Sequence, residues 1–224
     1  MKQFKAIIFD CDGVLVDSEK LALEVELEVL AELGLSFERD DYVLRFMGLS
    51  TDAFHAAIDE EAQRRLGRSI AREVRGSGRL RQVMIAHLTE VPGALEAISG
   101  LGLPKAIASS GSRAGLERKL RQTGLWDHFV PHVYSADHVA RAKPAPDLFL
   151  LAAEELGVAP MDCLVLEDSV NGVTAARAAS ITVWGFLGGG HAHDGLGPRL
   201  LSAGAERLVK DWPEAARLFA GLLP

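Results

Sequence analysis

Cysteine is almost missing from this chain. Of 224 residues only Cys11 and Cys163 are cysteines, and they form neither a CxxC pair nor a disulfide framework. Both read as reduced thiols, the pattern of a cytoplasmic protein. An excess of positive charge is also missing. Lys and Arg total 24 against 31 Asp and Glu, a net charge of −7. Such a chain lacks the broad positive field that nucleic acid requires, while a local cationic pocket for a small anion stays open. Long hydrophobic runs are absent near the start, where Ala6-Ile7-Ile8-Phe9 is too short for a signal peptide or a membrane span. No internal repeat occurs, and Gly188-Gly189-Gly190 is the single low-complexity spot.

What is present has the balance of a globular protein, 48% hydrophobic and 25% charged residues. The length suits one substantial core with a smaller subdomain. Short apolar runs recur at 6–9, 106–108, 130–134, 164–166 and 181–184. Short, fully apolar strands separated by helices predict a parallel sheet covered on both faces, a doubly wound α/β, Rossmann-like domain. Between the third and fourth runs, Pro146 and Asp147 suit a helix start and Gly157 and Pro160 stop it. Residues 113–122 and 173–179 also read as helices. Residues 17–87 carry no convincing strand and much Glu, Leu, Ala and Arg, which predicts a helical insert after the first strand. Residues 23–29 alternate apolar and Glu, yet Leu23, Leu27 and Leu30 share a helical face and no turn residue occurs before Gly34, so helix is preferred.

The strongest local signal is Phe9-Asp10-Cys11-Asp12-Gly13. An apolar strand delivers two carboxylates to the carboxyl edge of the sheet, where open α/β folds bind ligands. Charge placed there is costly unless a cation offsets it, although a strand-end turn with solvated aspartates is the competing reading. Leu164-Val165-Leu166-Glu167-Asp168 repeats the pattern. Two such strands side by side would gather four carboxylates, an oxygen-only set suited to Mg²⁺. Ala108-Ser109-Ser110-Gly111-Ser112 follows a strand and precedes a helix, so its hydroxyls and backbone N–H groups suit phosphate oxygens. Lys143, in a loop stiffened by Pro144 and Pro146, would neutralise carboxylates and phosphoryl oxygens alike. Taken singly, the Ser-Gly loop and the lone lysine also fit an ordinary loop and a solvated surface group.

The ordered set Asp10-x-Asp12-Gly13-Val14, Ser109, Lys143-Pro144 and Glu167-Asp168 resembles the haloacid dehalogenase superfamily over essentially the whole chain. The insert is similar to that of its helical-cap subclass, with sugar-phosphate and 6-phosphogluconate phosphatases of bacteria the nearest group. The resemblance implies a core domain of residues 1–17 and 88–224 and a cap of residues 18–87. It implies that Asp10 is the nucleophile and forms an aspartyl-phosphate, and that Asp12 is the general acid and base. It further implies Mg²⁺ on the Asp10 carboxylate, the Asp12 carbonyl and Asp168, with Glu167 a second-shell or alternative ligand. Ser109, Ser110, Gly111 and Lys143 would hold the phosphoryl group, and the cap would close to exclude water. Asp12 favours phosphate over carbon–halogen chemistry. Ala22 and Thr51 stand where a sugar-phosphate mutase carries His and Arg, which favours hydrolysis over mutase chemistry, the alternatives being a mutase or a non-catalytic binding protein. The expected partner is a small phosphorylated molecule, with no nucleic acid or membrane, for a monomer or small homo-oligomer.

Arg45, Phe46 and Met47 precede a turn at Gly48, and Arg45 and Gly48 are the candidate substrate contacts of the cap. His191 and His193 in Gly188–Asp194 would suit a transition metal, but a mobile glycine loop with solvated histidines is preferred. Cys11 is assigned no chemistry, and Trp126, Trp184 and Trp212 read as packing residues.

Overall fold

The computed structural model describes residues 3–46, 51–76 and 78–222. Six strands, β1 (Ala6–Phe9), β2 (Lys105–Ser109), β3 (Val133–Ser135), β4 (Cys163–Glu167), β5 (Thr182–Phe186) and β6 (Arg207–Val209), form one parallel sheet in the order β3-β2-β1-β4-β5-β6. The order reverses around β1, so β1 marks the topological switch point of a doubly wound sheet. All residues of β1, β4 and β5 are buried, because helices cover both faces, and this is why those strands are continuously apolar instead of alternating.

The pleat sends alternate residues to two cores. Ile8, Ala106, Ala108, Val165 and Val183 pack with Leu148, Phe149 and Ala152 of α8 (Asp147–Glu155) and Val173 and Ala176 of α9 (Val170–Ala178), joined by Leu196 and Leu200 of α10 (Leu196–Ala203). Phe9 points the other way, with its ring 5.8 Å from Phe129, 5.8 Å from Trp212 and 6.0 Å from Phe219, the last two on α11 (Trp212–Ala220). Trp212 is 1% exposed and its indole N–H donates to the Val14 carbonyl at 2.8 Å. Each such side chain contributes about 1.5–3 kcal/mol by burial. Helices α6 (Ala94–Ser99) and α7 (Arg113–Gln122) complete this unit.

The chain divides into two compact units, Met1–Glu19 with Leu88–Pro224, and Lys20–His87. The described residues of the second unit hold only helices: α1 (Ser18–Glu32), whose first two residues belong to the first unit, α2 (Arg39–Phe46), α3 (Thr51–Leu66), α4 (Ala71–Gly76) and α5 (Arg79–His87). Leu23, Leu30, Leu35, Tyr42, Val43, Phe46, Ile58, Ala62 and Ile70 form its core. Residues 23–29 are helical, and the turn expected for Gly34 follows α1 with φ 92°. The proposed turn at Gly48, and Met47 with it, lie outside the described residues.

Two expectations need adjustment. The run 130–134 yields a strand only from Val133, because Pro131 has no N–H for the ladder. The edge strand β6, with exposed Arg207 and a single fully buried residue, Val209, has too weak a pattern to be read from sequence.

Candidate active site

Pairing of β1 with β4 sets Phe9 opposite Leu166, and the Asp10 N–H donates to the Leu166 carbonyl at 3.0 Å. The residues that follow, Asp10 and Asp12 on one strand end and Glu167 and Asp168 on the other, therefore emerge at the same edge. After Asp10 the chain turns through Gly13 (φ 79°), whose N–H donates to the Val16 carbonyl at 2.8 Å. A Cβ at Gly13 would overlap the Asp168 carboxylate and crowd His191. Both the conformation and the space there require glycine.

Asp10, Glu167 and Asp168 are buried, and one oxygen from each lies within 4.8 Å of the others. Lys143 answers part of this charge. Its side chain is 3% exposed, and its ammonium donates to Asp10 Oδ1 at 2.5 Å and to Glu167 Oε2 at 2.7 Å. Burial alone would push the Lys143 ammonium toward neutrality, but Asp10 and Glu167 outweigh it and hold its pKa above that of an ordinary lysine. Glu167 is tied on its other oxygen by the Ser169 N–H (3.0 Å) and hydroxyl (2.7 Å). Gly172 sits against it, where a Cβ would overlap the carboxylate. Burial, then the negative charge of Glu167, raise Asp10 well above the usual carboxylate range, with Lys143 only partly opposing. Asp168 is raised by burial and then by Glu167.

One ammonium thus faces three buried carboxylates. An oxygen-only cluster carrying uncompensated negative charge fits a hard divalent cation such as Mg²⁺, which would offset the burial and then the mutual repulsion that raise Asp10 and Asp168. Asp10 and Asp168 are the carboxylates best placed to hold it. Glu167 is already engaged by Lys143 and Ser169, which suits a supporting position.

β2 lies on the opposite side of β1 from β4, with Ile107 opposite Phe9. Its last residue, Ser109, is 1% exposed, and its hydroxyl accepts from the Gly111 N–H at 3.1 Å. Ser112 caps α7 by accepting from the Gly115 N–H at 3.3 Å. Ser110 is exposed. A Cβ built on Gly111 would lie 3.4 Å from Ser109 Oγ and 4.0 Å from Asp12 Oδ2, so the serine hydroxyl and the Asp12 carboxylate border one small space.

Four residues not assigned to the site from sequence, Lys119, Ser18, Asp17 and His191, belong to this neighbourhood. Lys119 of α7 donates to Asp12 Oδ1, and the Ser18 hydroxyl donates to the same oxygen. Burial opposes the Lys119 charge, but Asp12 more than offsets it. Asp17 accepts from the Gly190 N–H at 2.8 Å, which ties the glycine loop to the first motif. His191 is 5% exposed with Nε2 at 3.1 Å from Asp168 Oδ2. The reading of both loop histidines as solvated is therefore corrected for His191, because Gly189 lies against the Gly13 carbonyl, where a Cβ would come within 2.5 Å, and so brings the His191 ring inward. His193 Nδ1 accepts from the Gly195 N–H at 3.2 Å. Cys11 is fully buried and its thiol is pushed well above its ordinary pKa by burial and then by Asp12, which keeps it protonated and inert.

In the helical unit, Arg45 donates to Glu61 at 2.8 Å and to Asp41 at 3.2 Å, and stacks 4.8 Å from the centre of the Phe46 ring. Arg64 donates to the second Glu61 oxygen at 2.5 Å, and Arg65 lies 3.7 Å from it. A substrate contact by Arg45 would compete with these partners.

Comparison with known proteins agrees with the geometry. Residues 4–180 match the family model described as haloacid dehalogenase-like hydrolase. Hexitol phosphatase B of Escherichia coli (strain K12) is 35% identical over 184 residues, covering 80% of this chain and 81% of that protein. The Arabidopsis thaliana protein SUPPRESSOR OF QUENCHING 1, chloroplastic, is 35% identical over 191 residues, but the chain spans only 17% of its length. A crystal structure of a HAD family hydrolase from Deinococcus radiodurans R1 with bound phosphate and sodium is 37% identical, covers 100% of this chain and 99% of that one, and superposes with a TM-score of 0.86. Among the described residues no helix is long and apolar enough to cross a membrane. With a family model spanning most of its length and the four acidic, serine and lysine motifs gathered at one sheet edge, the chain belongs to the haloacid dehalogenase-like hydrolases.

Proposed function

We propose that this chain is a magnesium-dependent phosphatase that hydrolyses a small-molecule phosphate monoester, a sugar or sugar-acid phosphate, through an aspartyl-phosphate on Asp10. The observation that carries the reading is Lys143, buried between Asp10 and Glu167 at 2.5 and 2.7 Å, at the same strand edge as Ser109. A carboxylate able to act as nucleophile, beside a buried cation and a hydroxyl, supports the reading that a phosphoryl group is held there. The likeness to hexitol phosphatase B supports a polyol or sugar phosphate as the substrate class.

In the first step an Asp10 oxygen attacks phosphorus, the ester P–O bond breaks, and Asp12 gives its proton to the departing alcohol oxygen. In the second, water attacks the phosphorus, its proton passes to Asp12, and the bond to Asp10 breaks, releasing inorganic phosphate. Lys143 and Ser109 hold the phosphoryl oxygens in both steps, and Ser110 and Gly111 supply further donors. Mg²⁺, bound by the Asp10 and Asp168 carboxylates and the Asp12 carbonyl with Glu167 behind, would supply positive charge against the phosphoryl oxygens. Residues 18–87 act as the cap on a core of residues 1–17 and 88–224, and their insertion between the Asp10 and Ser109 motifs supports this. Arg45 and Gly48 are the cap residues assigned to substrate selection.

The test is phosphate release from a panel of sugar, polyol and sugar-acid phosphates and p-nitrophenyl phosphate, with Mg²⁺, with chelator, and with Asp10→Asn protein. Release should need both the metal and Asp10. Release that persists in Asp10→Asn refutes the covalent route, and an isomerised sugar phosphate as the main product would show a mutase instead.

A further inference from the structure

We infer that Lys119 is a positioning residue that fixes the Asp12 carboxylate so that one oxygen is tethered and the other is presented to the phosphate loop. This inference rests on the phosphatase reading and assigns a residue to its proton-transfer step. Helix α7 carries four cations, Arg113, Arg118, Lys119 and Arg121. The three arginines are exposed, whereas the Lys119 side chain is 23% exposed and turned to Asp12. The neighbouring Leu116 and Leu120 are buried and anchor that face of the helix. The cap on Ser112 fixes where α7 begins, immediately after the Ser109 loop, so the helix that carries Lys119 is positioned by the loop that would carry phosphate.

The placement of the two donors matters more than the charge. The Lys119 ammonium and the Ser18 hydroxyl both reach Asp12 Oδ1. Terminal torsions of aspartate are broad and roughly two-fold, so an untethered carboxylate exchanges its two oxygens and samples a range of tilts. Donors converging from α7 and from the start of α1 on one oxygen remove that freedom. Oδ2 is left facing Gly111, 4.0 Å from the position its Cβ would take, and the same position lies 3.4 Å from Ser109 Oγ. A proton carried on Oδ2 is then aimed at the space bordered by Ser109. General acids act only when held within reach of the atom they protonate, and orientation of this kind is a large part of their effect.

Leaving-group dependence separates positioning from general structural support. Departure of p-nitrophenolate needs no protonation, whereas departure of an alkoxide does. The value of kcat/KM reports the steps up to leaving-group departure. Lys119→Met, which keeps the stem length and removes the ammonium, should lower kcat/KM for the best hexose or hexitol phosphate by about tenfold to a hundredfold, a fraction of the roughly 10²–10⁴-fold effect of general acid catalysis. The loss on p-nitrophenyl phosphate should stay below about threefold. Lys119→Arg should restore most of the alkyl phosphate activity. Equal losses on both esters, or a loss confined to KM, would show that Lys119 supports the fold or binds phosphate directly, and either result overturns the inference. No loss on either ester does the same. If Lys119→Met melts early, Lys119→Gln carries the comparison. A wild-type protein inactive on every ester with Mg²⁺ overturns the phosphatase reading itself and the inference with it, whereas an active wild type with an unchanged ester ratio in the variant overturns the inference alone.

Discussion

Replacing Lys143 by methionine removes the ammonium that stands between Asp10 and Glu167 while keeping an apolar stem against Phe149, whose ring centre lies 4.7 Å from the lysine nitrogen. The three side chains are 3%, 10% and 1% exposed. None of the charge left behind can be screened well by solvent. Breaking a buried ion pair from one side costs about 3–5 kcal/mol, because the remaining charge is uncompensated. Here two carboxylates lose their partner and Asp168 adds to the repulsion. For a domain of this size that corresponds to a fall in Tm of about 6–20 °C. Thermal unfolding in chelator should show the full fall. Added Mg²⁺ should recover part of it, since a ligand that binds only the folded state stabilises it by mass action. Combining Lys143→Met with Glu167→Gln should cost less than the sum of the single changes, because the second removes one of the carboxylates orphaned by the first. A fall of less than about 2 °C in chelator, or strict additivity of the pair, would refute the claim that Lys143 is the counter-charge of this cluster.

Glu61 gives a pH-dependent prediction for the helical unit. Hydrogen bonds from Arg64 and Arg45 hold its carboxyl down to about 2, against an ordinary value of 4.5. A depressed acid contributes stability above its unfolded pKa and loses it as pH falls through the folded one, so the contribution should be complete at neutral pH and fade between about pH 4.5 and 2. The partner arginines are 34–67% exposed, so solvent screening limits the effect to about 1 kcal/mol. Urea unfolding from pH 7 to pH 3 should show this loss in wild type and not in Glu61→Gln, and parallel acid limbs in the two proteins would count against it. Gly172→Ala should displace the Glu167 carboxylate, since the added methyl overlaps it. Phosphate release should then fall by at least about tenfold, while a variant as active as wild type would show that Glu167 need not stay where Ser169 and Lys143 hold it.

The parts of the site legible in sequence are those where chemistry and element boundary coincide. Ala6–Phe9 and Cys163–Glu167 are apolar because both faces of their strands are covered, and each ends in acids because the edge of the sheet is where polar groups re-enter. That combination survives without knowledge of the register, so Asp10, Asp12, Glu167 and Asp168 could be gathered on paper. Ser109 and Lys143 were legible only through their order, since serine loops and single lysines are common. Lys119 and His191 were not legible at all, for a specific physical reason. Lys119 is one of four cations on a helix, and the choice of which one turns inward is made by Leu116 and Leu120 and by a strand end 107 residues away. His191 follows a glycine run that signals freedom when read alone. Its burial is decided by Gly13, whose missing side chain leaves room for the ring and for Asp168 together. Where a residue's role depends on a space vacated by a distant glycine, local pattern points the wrong way. The same reasoning separates the two parts of the acidic site: the carboxylates are fixed by the strands that carry them, while the groups that aim and neutralise them arrive from α7, from the Lys143 loop and from the Gly188–Asp194 loop. Substitutions in those three segments should therefore change turnover while the strand register holds, even where, as at Lys143, they cost stability, whereas Phe9, Leu166 or Ile107 cannot be changed without moving the strand ends on which every one of the acids depends.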